Sequence, residues 1–133
     1  MPTKPLERPL SPHLQVWKWT LTMAMSILHR ASGIALSVGT LMLVWMLVSA
    51  ATSPDAYECF KSFATSAIGQ IMLFGWTGAL FFHLCSGFRH LLMDAGYLLT
   101  IPQAERAAKI IFIVSIALTL AVWGMLKTFQ GDM

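Results

Sequence analysis

Charge is the scarcest property of this chain: 11% of its residues are charged, against 56% hydrophobic. Soluble domains average roughly 25% charged residues, so this composition excludes a disordered chain and argues against a soluble fold. At 133 residues the chain amounts to one domain. Its interior is too small to hide so much apolar surface from water, whereas a lipid-facing fold has no need to. Two cysteines cannot build a disulfide framework, and no CxxC pair occurs. Glycine-rich phosphate loops and internal repeats are also absent. The formal net charge of +3 is too slight to suggest nucleic-acid binding.

Three long apolar segments stand out instead. Ala31 to Ala51 carries no charge and as a helix covers about 31 Å, close to the roughly 30 Å hydrocarbon core of a bilayer. Ser62 to Phe88 is long enough to span with some tilt, and its one ionisable side chain besides a thiol is His83. Ile110 to Leu126 is shorter but uniformly apolar, with Lys109 and Lys127 placed to snorkel at its ends. None of the three contains a carboxylate, which weighs against a proton-coupled transporter. Ser53-Pro54-Asp55 breaks the chain after the first span, and Asp94 to Arg106, with Gly96 and Pro102, forms the second connection. Residues 1–20 carry Pro2, Pro5, Pro9 and Pro12 and are expected to form an extended or coiled polar arm. The expected fold is therefore an all-α integral membrane protein: the arm, then a three-helix transmembrane domain over 21–133.

The basic residues give the expected orientation. Lys4, Arg8, Lys18 and Arg30 precede span one, and Arg89, Arg106 and Lys109 lie between spans two and three. Lys61 and Lys127 alone fall on the other side. The positive-inside rule puts the N-terminus in the cytoplasm and the C-terminus in the periplasm. The first apolar segment is too long and begins too late for a signal peptide, and no transit-peptide pattern precedes it. The expected location is a bacterial inner membrane.

Ionisable groups inside a membrane are functional candidates by default. His83 stands about 9 Å deeper than Arg89, and His83 and His90 fall within about 20° of one helix face. Gly87, one turn after His83, would let a flat ligand or another helix approach closely. A neutral imidazole can bind haem iron; the alternative is a histidine bonded to a neighbouring helix. For His90 alone a structural role is the simpler reading. Ser26, His29 and Arg30 form a second cluster, each within a turn of Ser26. They set a hydroxyl, an imidazole and a fixed positive charge at the membrane boundary, which suits a ligand with a carbonyl head and an apolar tail. The alternative is an arginine that anchors topology and a serine that packs helices.

These residues sit in ordered strings: Arg8-Pro9-Leu10-Ser11-Pro12-His13-Leu14, then Ser26-Ile27-Leu28-His29-Arg30-Ala31-Ser32-Gly33, then His83-Leu84-Cys85-Ser86-Gly87-Phe88-Arg89-His90-Leu91-Leu92-Met93-Asp94. Together with the three-span layout they resemble the cytochrome b subunits that anchor succinate dehydrogenase, respiratory complex II, in the membrane. The resemblance covers nearly the whole chain. It implies a complex of flavoprotein, iron–sulfur protein and two small anchors that hold one haem b and a ubiquinone site, passing electrons from succinate to quinone. It implies a bundle completed by the second anchor, which would supply the other axial histidine, and no turnover by this subunit alone. By the same resemblance His83 is the haem axial ligand, His29, Arg30, Arg89 and His90 lie near the haem propionates, and Ser26 and Arg30 belong to the quinone pocket. The competing readings are an anchor of fumarate reductase, which runs the couple in reverse, and a small non-redox membrane protein.

Overall fold

The computed structural model describes residues 17–131. Every regular element among them is helical: α1 (Leu21–Thr52), α2 (Pro54–Thr65), α3 (Ala67–Asp94) and α4 (Ile101–Gly131). Three of these, α1, α3 and α4, are long and apolar enough to cross a membrane. Of the N-terminal arm, residues 17–20 are non-helical; the string from Arg8 to Leu14 lies outside the described residues.

Local chemistry sets the helix ends. The Thr20 side chain accepts from the Met23 N–H and caps α1. Pro54 disfavours helical geometry in the residue before it, and Ser53 is extended, with φ −165° and ψ 158°. The Ser53 hydroxyl then caps α2 by accepting from the Ala56 N–H at 3.2 Å, with Pro54 opening the helix.

The second apolar segment is not one uninterrupted helix from Ser62. Ser66, at ψ 159°, ends α2, and its side chain accepts from the Gly69 N–H at 3.1 Å to start α3. Hydropathy is blind to this break, because a serine that caps and a serine inside a span read alike. At the other end, α3 continues past Phe88 to Asp94 and stops where Gly96 takes φ +90°, the left-handed conformation that glycine adopts freely. The second connection is shorter than its polarity suggests. Pro102 falls in the first turn of α4, where its missing N–H costs nothing, so that helix begins at Ile101 and runs through Arg106 into the apolar stretch.

α3 is the central helix and packs against both α1 and α4. Most of the buried residues are small or hydroxyl-bearing, namely Ser32, Ser49, Ser86, Ala104, Ala108, Ser115 and Thr119, with Met25, Phe60 and Arg89 the larger ones among them. Large aliphatic side chains such as Ile34, Leu41 and Ile71 point outward. This is the distribution expected where lipid solvates the apolar side chains and close backbone approach holds helices together. The hydroxyls of Ser115 and Thr119 bond back to carbonyls of their own helix, at 2.9 and 2.7 Å, so their burial leaves nothing unpaired. Gly39 gives up its side-chain space to the Trp76 indole, which fixes the middle of the α1–α3 contact. Amphipathic α2 folds over the far end of the bundle, where Phe60 is buried edge-on against Trp45.

Candidate functional site

The α1–α3 packing brings histidines from distant parts of the sequence together. The rings of His29 and His83 stack with centroids 4.0 Å apart and planes 9° from parallel. His90 approaches the other histidine of that pair, with its centroid 5.0 Å from His29. His83 and His90 share a face of α3, two turns apart, and both meet His29 there. Two glycines face these rings, and the close approach depends on one of them. A Cβ built on Gly87 would lie 3.9 Å from His29 Cε1, and one built on Gly33 would lie 3.1 Å from His83 Cε1. The second distance is tighter than ordinary contact, so a glycine at 33 lets the His83 ring lie against the backbone of α1.

That position determines what the imidazole can do. His83 Nδ1 lies 3.1 Å from the His29 carbonyl oxygen and 3.0 Å from Ser32 Oγ. A carbonyl has no proton to give, so Nδ1 carries the proton and donates it. Ser32 spends its own proton on the same carbonyl, at 2.8 Å, and its oxygen is left to accept. In the neutral ring Nε2 then holds the lone pair, and it makes no hydrogen bond among the described residues. An imidazole that donates from one nitrogen to a backbone carbonyl and presents the other is the usual state of a metal-binding histidine. The three histidines do not converge on one ion: no cluster of three or more His, Cys, Asp or Glu set to hold a metal occurs among the described residues.

Three more polar atoms near His83 are buried without partners: His29 Nδ1, Ser86 Oγ and Arg89 Nε. Orphaned donors inside a protein are costly, about 1–3 kcal/mol each, so this end of the bundle is set up for a polar group from outside the described chain. The Arg89–His90 pair is divided between two settings. His90 shares the His83 face, whereas Arg89 is turned about 120° from it on an ideal helix and is 4% exposed. Ser26 is half-buried and Arg30 exposed, one turn apart on α1. Neither side chain makes a hydrogen bond within the described residues, which leaves the Arg30 guanidinium available to a group outside those residues.

The sequence reading singled out His29, His83 and His90 but not Ser32 or Gly33. Both lie inside the string that opens α1, three and four residues after His29, and a search for hydroxyls one turn from a candidate histidine would have found Ser32. A separate cavity of about 550 Å³ lies between α1, α3 and α4, lined by residues such as Ala31, Ser32, Gly78 and Phe112. It includes neither Ser26 nor Arg30.

The sequence family described as the succinate dehydrogenase/fumarate reductase transmembrane subunit matches residues 4–122. The chain belongs to that family. Members of it with similar sequences include the succinate dehydrogenase cytochrome b556 subunit of Paracoccus denitrificans, 43% identical over 113 residues, covering 85% of this chain and 87% of the relative. The cytochrome b556 subunit of Rickettsia felis is 35% identical over 117 residues, covering 88% of this chain and 91% of that protein. The mitochondrial cytochrome b560 subunit of Sus scrofa is 36% identical over 123 residues, covering 89% of this chain and 71% of its own length. This succinate dehydrogenase/fumarate reductase family member is thus an integral membrane subunit of the cytochrome b type, built on three apolar spanning helices.

Proposed function

We propose that this chain is a membrane anchor of succinate:quinone oxidoreductase in which His83 would hold the iron of haem b and Ser26 and Arg30 would form part of a ubiquinone-reduction site. The observation that carries the reading is the pairing of His83 Nδ1 with the His29 carbonyl and Ser32 Oγ, which leaves Nε2 as the metal-directed atom. When bound, haem b supplies a one-electron relay between donor and quinone. By the family resemblance, a second anchor subunit would complete the bundle and would supply a further histidine to hold the iron. The unpartnered atoms of His29, Ser86 and Arg89 would be available to the acidic side groups of such a macrocycle, and His90 lies against His29. Arg30 stabilises a quinone oxygen as it gains negative charge on reduction, and Ser26 hydrogen-bonds it.

Flavoprotein and iron–sulfur subunits dock on the face that carries these residues and deliver electrons from succinate. That face also carries Arg106 and Lys109, which supports a cytoplasmic assignment in a bacterial inner membrane, with the C-terminus periplasmic. Succinate oxidation, rather than the reverse direction, is favoured by the relatives above, whose names are all of succinate dehydrogenases. The test is a reduced-minus-oxidised absorption spectrum of the chain purified with its partners. A b-type signal that appears on adding succinate is the expected result; an intact complex without one removes the role given to His83.

A further inference from the structure

We propose that Ser32 is a positioning residue for the metal-directed imidazole: its hydroxyl, acting with the His29 carbonyl, fixes the rotation of the His83 ring and sets the donor strength of Nε2. The inference rests on the reading of His83 as a haem ligand.

Three contacts restrain the ring. The stacked His29 ring covers one face at 4.0 Å. The backbone at Gly33 stands beside the Cε1 edge, with only the room a missing side chain leaves. Nδ1 is shared between two acceptors, the His29 carbonyl at 3.1 Å and Ser32 Oγ at 3.0 Å. A ring held by one acceptor can swing about it. Two acceptors on different atoms define its orientation, and Ser32 is tied to the first by its own 2.8 Å bond. Ser32 is 7% exposed, so this network is shielded from water, where hydrogen bonds are electrostatically stronger.

Ser32 also differs from the other buried hydroxyls. Ser49, Ser115 and Thr119 bond only to carbonyls of their own helix, and Ser86 Oγ has no partner among the described residues. Among the described residues, Ser32 is the one hydroxyl that also bonds a side chain of another helix. The chemical consequence follows from the direction of the bond. A donor N–H engaged by acceptors shifts electron density through the imidazole to Nε2. A more basic nitrogen favours ferric over ferrous iron and lowers the reduction potential.

The experiment uses the intact complex carrying Ser32→Ala, Ser32→Cys or Ser32→Thr, with assembly checked by subunit composition. Haem content, haem midpoint potential and the electron paramagnetic resonance spectrum of the ferric haem are read. Ser32→Ala is expected to raise the midpoint potential and move the highest-g resonance. Ser32→Cys keeps the side chain's shape with a somewhat larger atom that accepts poorly, and should move both in the same direction. Ser32→Thr keeps the hydroxyl, its methyl group has the adjoining cavity available, and it should restore both. Unchanged potential and resonance in a fully haem-loaded Ser32→Ala complex would overturn the proposal, as would equal shifts in all three variants, which would point to packing alone. Absence of haem from the unsubstituted complex would defeat the reading of His83 itself, a separate outcome.

Discussion

His83 of α3 lies ring on ring with His29 of α1, and its Nδ1 is bonded to the backbone oxygen of that same residue. One residue of the first span therefore holds both a face and an edge of the His83 imidazole. The relationship makes the two helices a single unit as far as that imidazole is concerned, and a change on either is felt by the other.

Replacing His83 with Ala removes the nitrogen that the network presents. A complex purified with His83→Ala should lack the succinate-reducible b-type band or lose most of it. A normal low-spin spectrum in that variant would show that another residue ligates the iron.

Gly33 tests whether close backbone approach matters. Gly33→Ala places a Cβ 3.1 Å from His83 Cε1, and Gly33→Val adds bulk that the ring has no room to avoid. Overpacking of this kind costs about 1–3 kcal/mol. The valine variant should show a lowered haem-to-protein ratio and faster thermal inactivation. Gly124→Ala, where a new Cβ meets nothing within 4 Å in the described structure, is the control and should leave both near the parent values.

Gly39 probes the middle of the same interface without touching the histidines. Its missing side chain is occupied by the Trp76 indole, so Gly39→Ala forces α1 and α3 apart or the indole out of place. The expected effect is a loss of about 1–3 kcal/mol, read as a lower melting temperature of the complex. Adding Trp76→Leu should recover part of it, since the two substitutions act on one contact. Purely additive effects would place the strain elsewhere.

Arg30 carries a prediction about chemistry rather than packing. Arg30→Leu removes a fixed charge from an exposed position and should lower quinone reduction roughly tenfold or more. Succinate oxidation with a soluble dye as acceptor should persist, because it bypasses the anchor. Equal quinone turnover in variant and parent would exclude Arg30 from the site.

Much of this was legible along the chain. The three apolar stretches announce three crossings, because a run of uncharged residues about as long as a bilayer is thick has few other uses. The histidines stand out because an ionisable side chain at that depth is rare. Helix boundaries were harder. Pro102 reads as a breaker, yet it opens α4 from a position where a proline is harmless. Ser66 reads as one more residue of a span, yet it caps α3 and divides that segment from α2. In each case a residue's effect depends on which turn of a helix it occupies, and hydropathy averages over turns.

The sequence by itself determined that the chain crosses a membrane three times, that its histidines cluster toward one end, and that His83 and His90 share a face. Those are consequences of composition and of the helical repeat, both local. Only the tertiary structure decided that Ser32 and the His29 carbonyl receive the His83 proton and that Arg89 turns away into a buried setting. These depend on the rotation and register of α1 against α3. Lipid exerts little hydrophobic pull between helices, so small residues such as Gly33 and Gly39 set that register through close packing, and no local pattern in either helix encodes it alone.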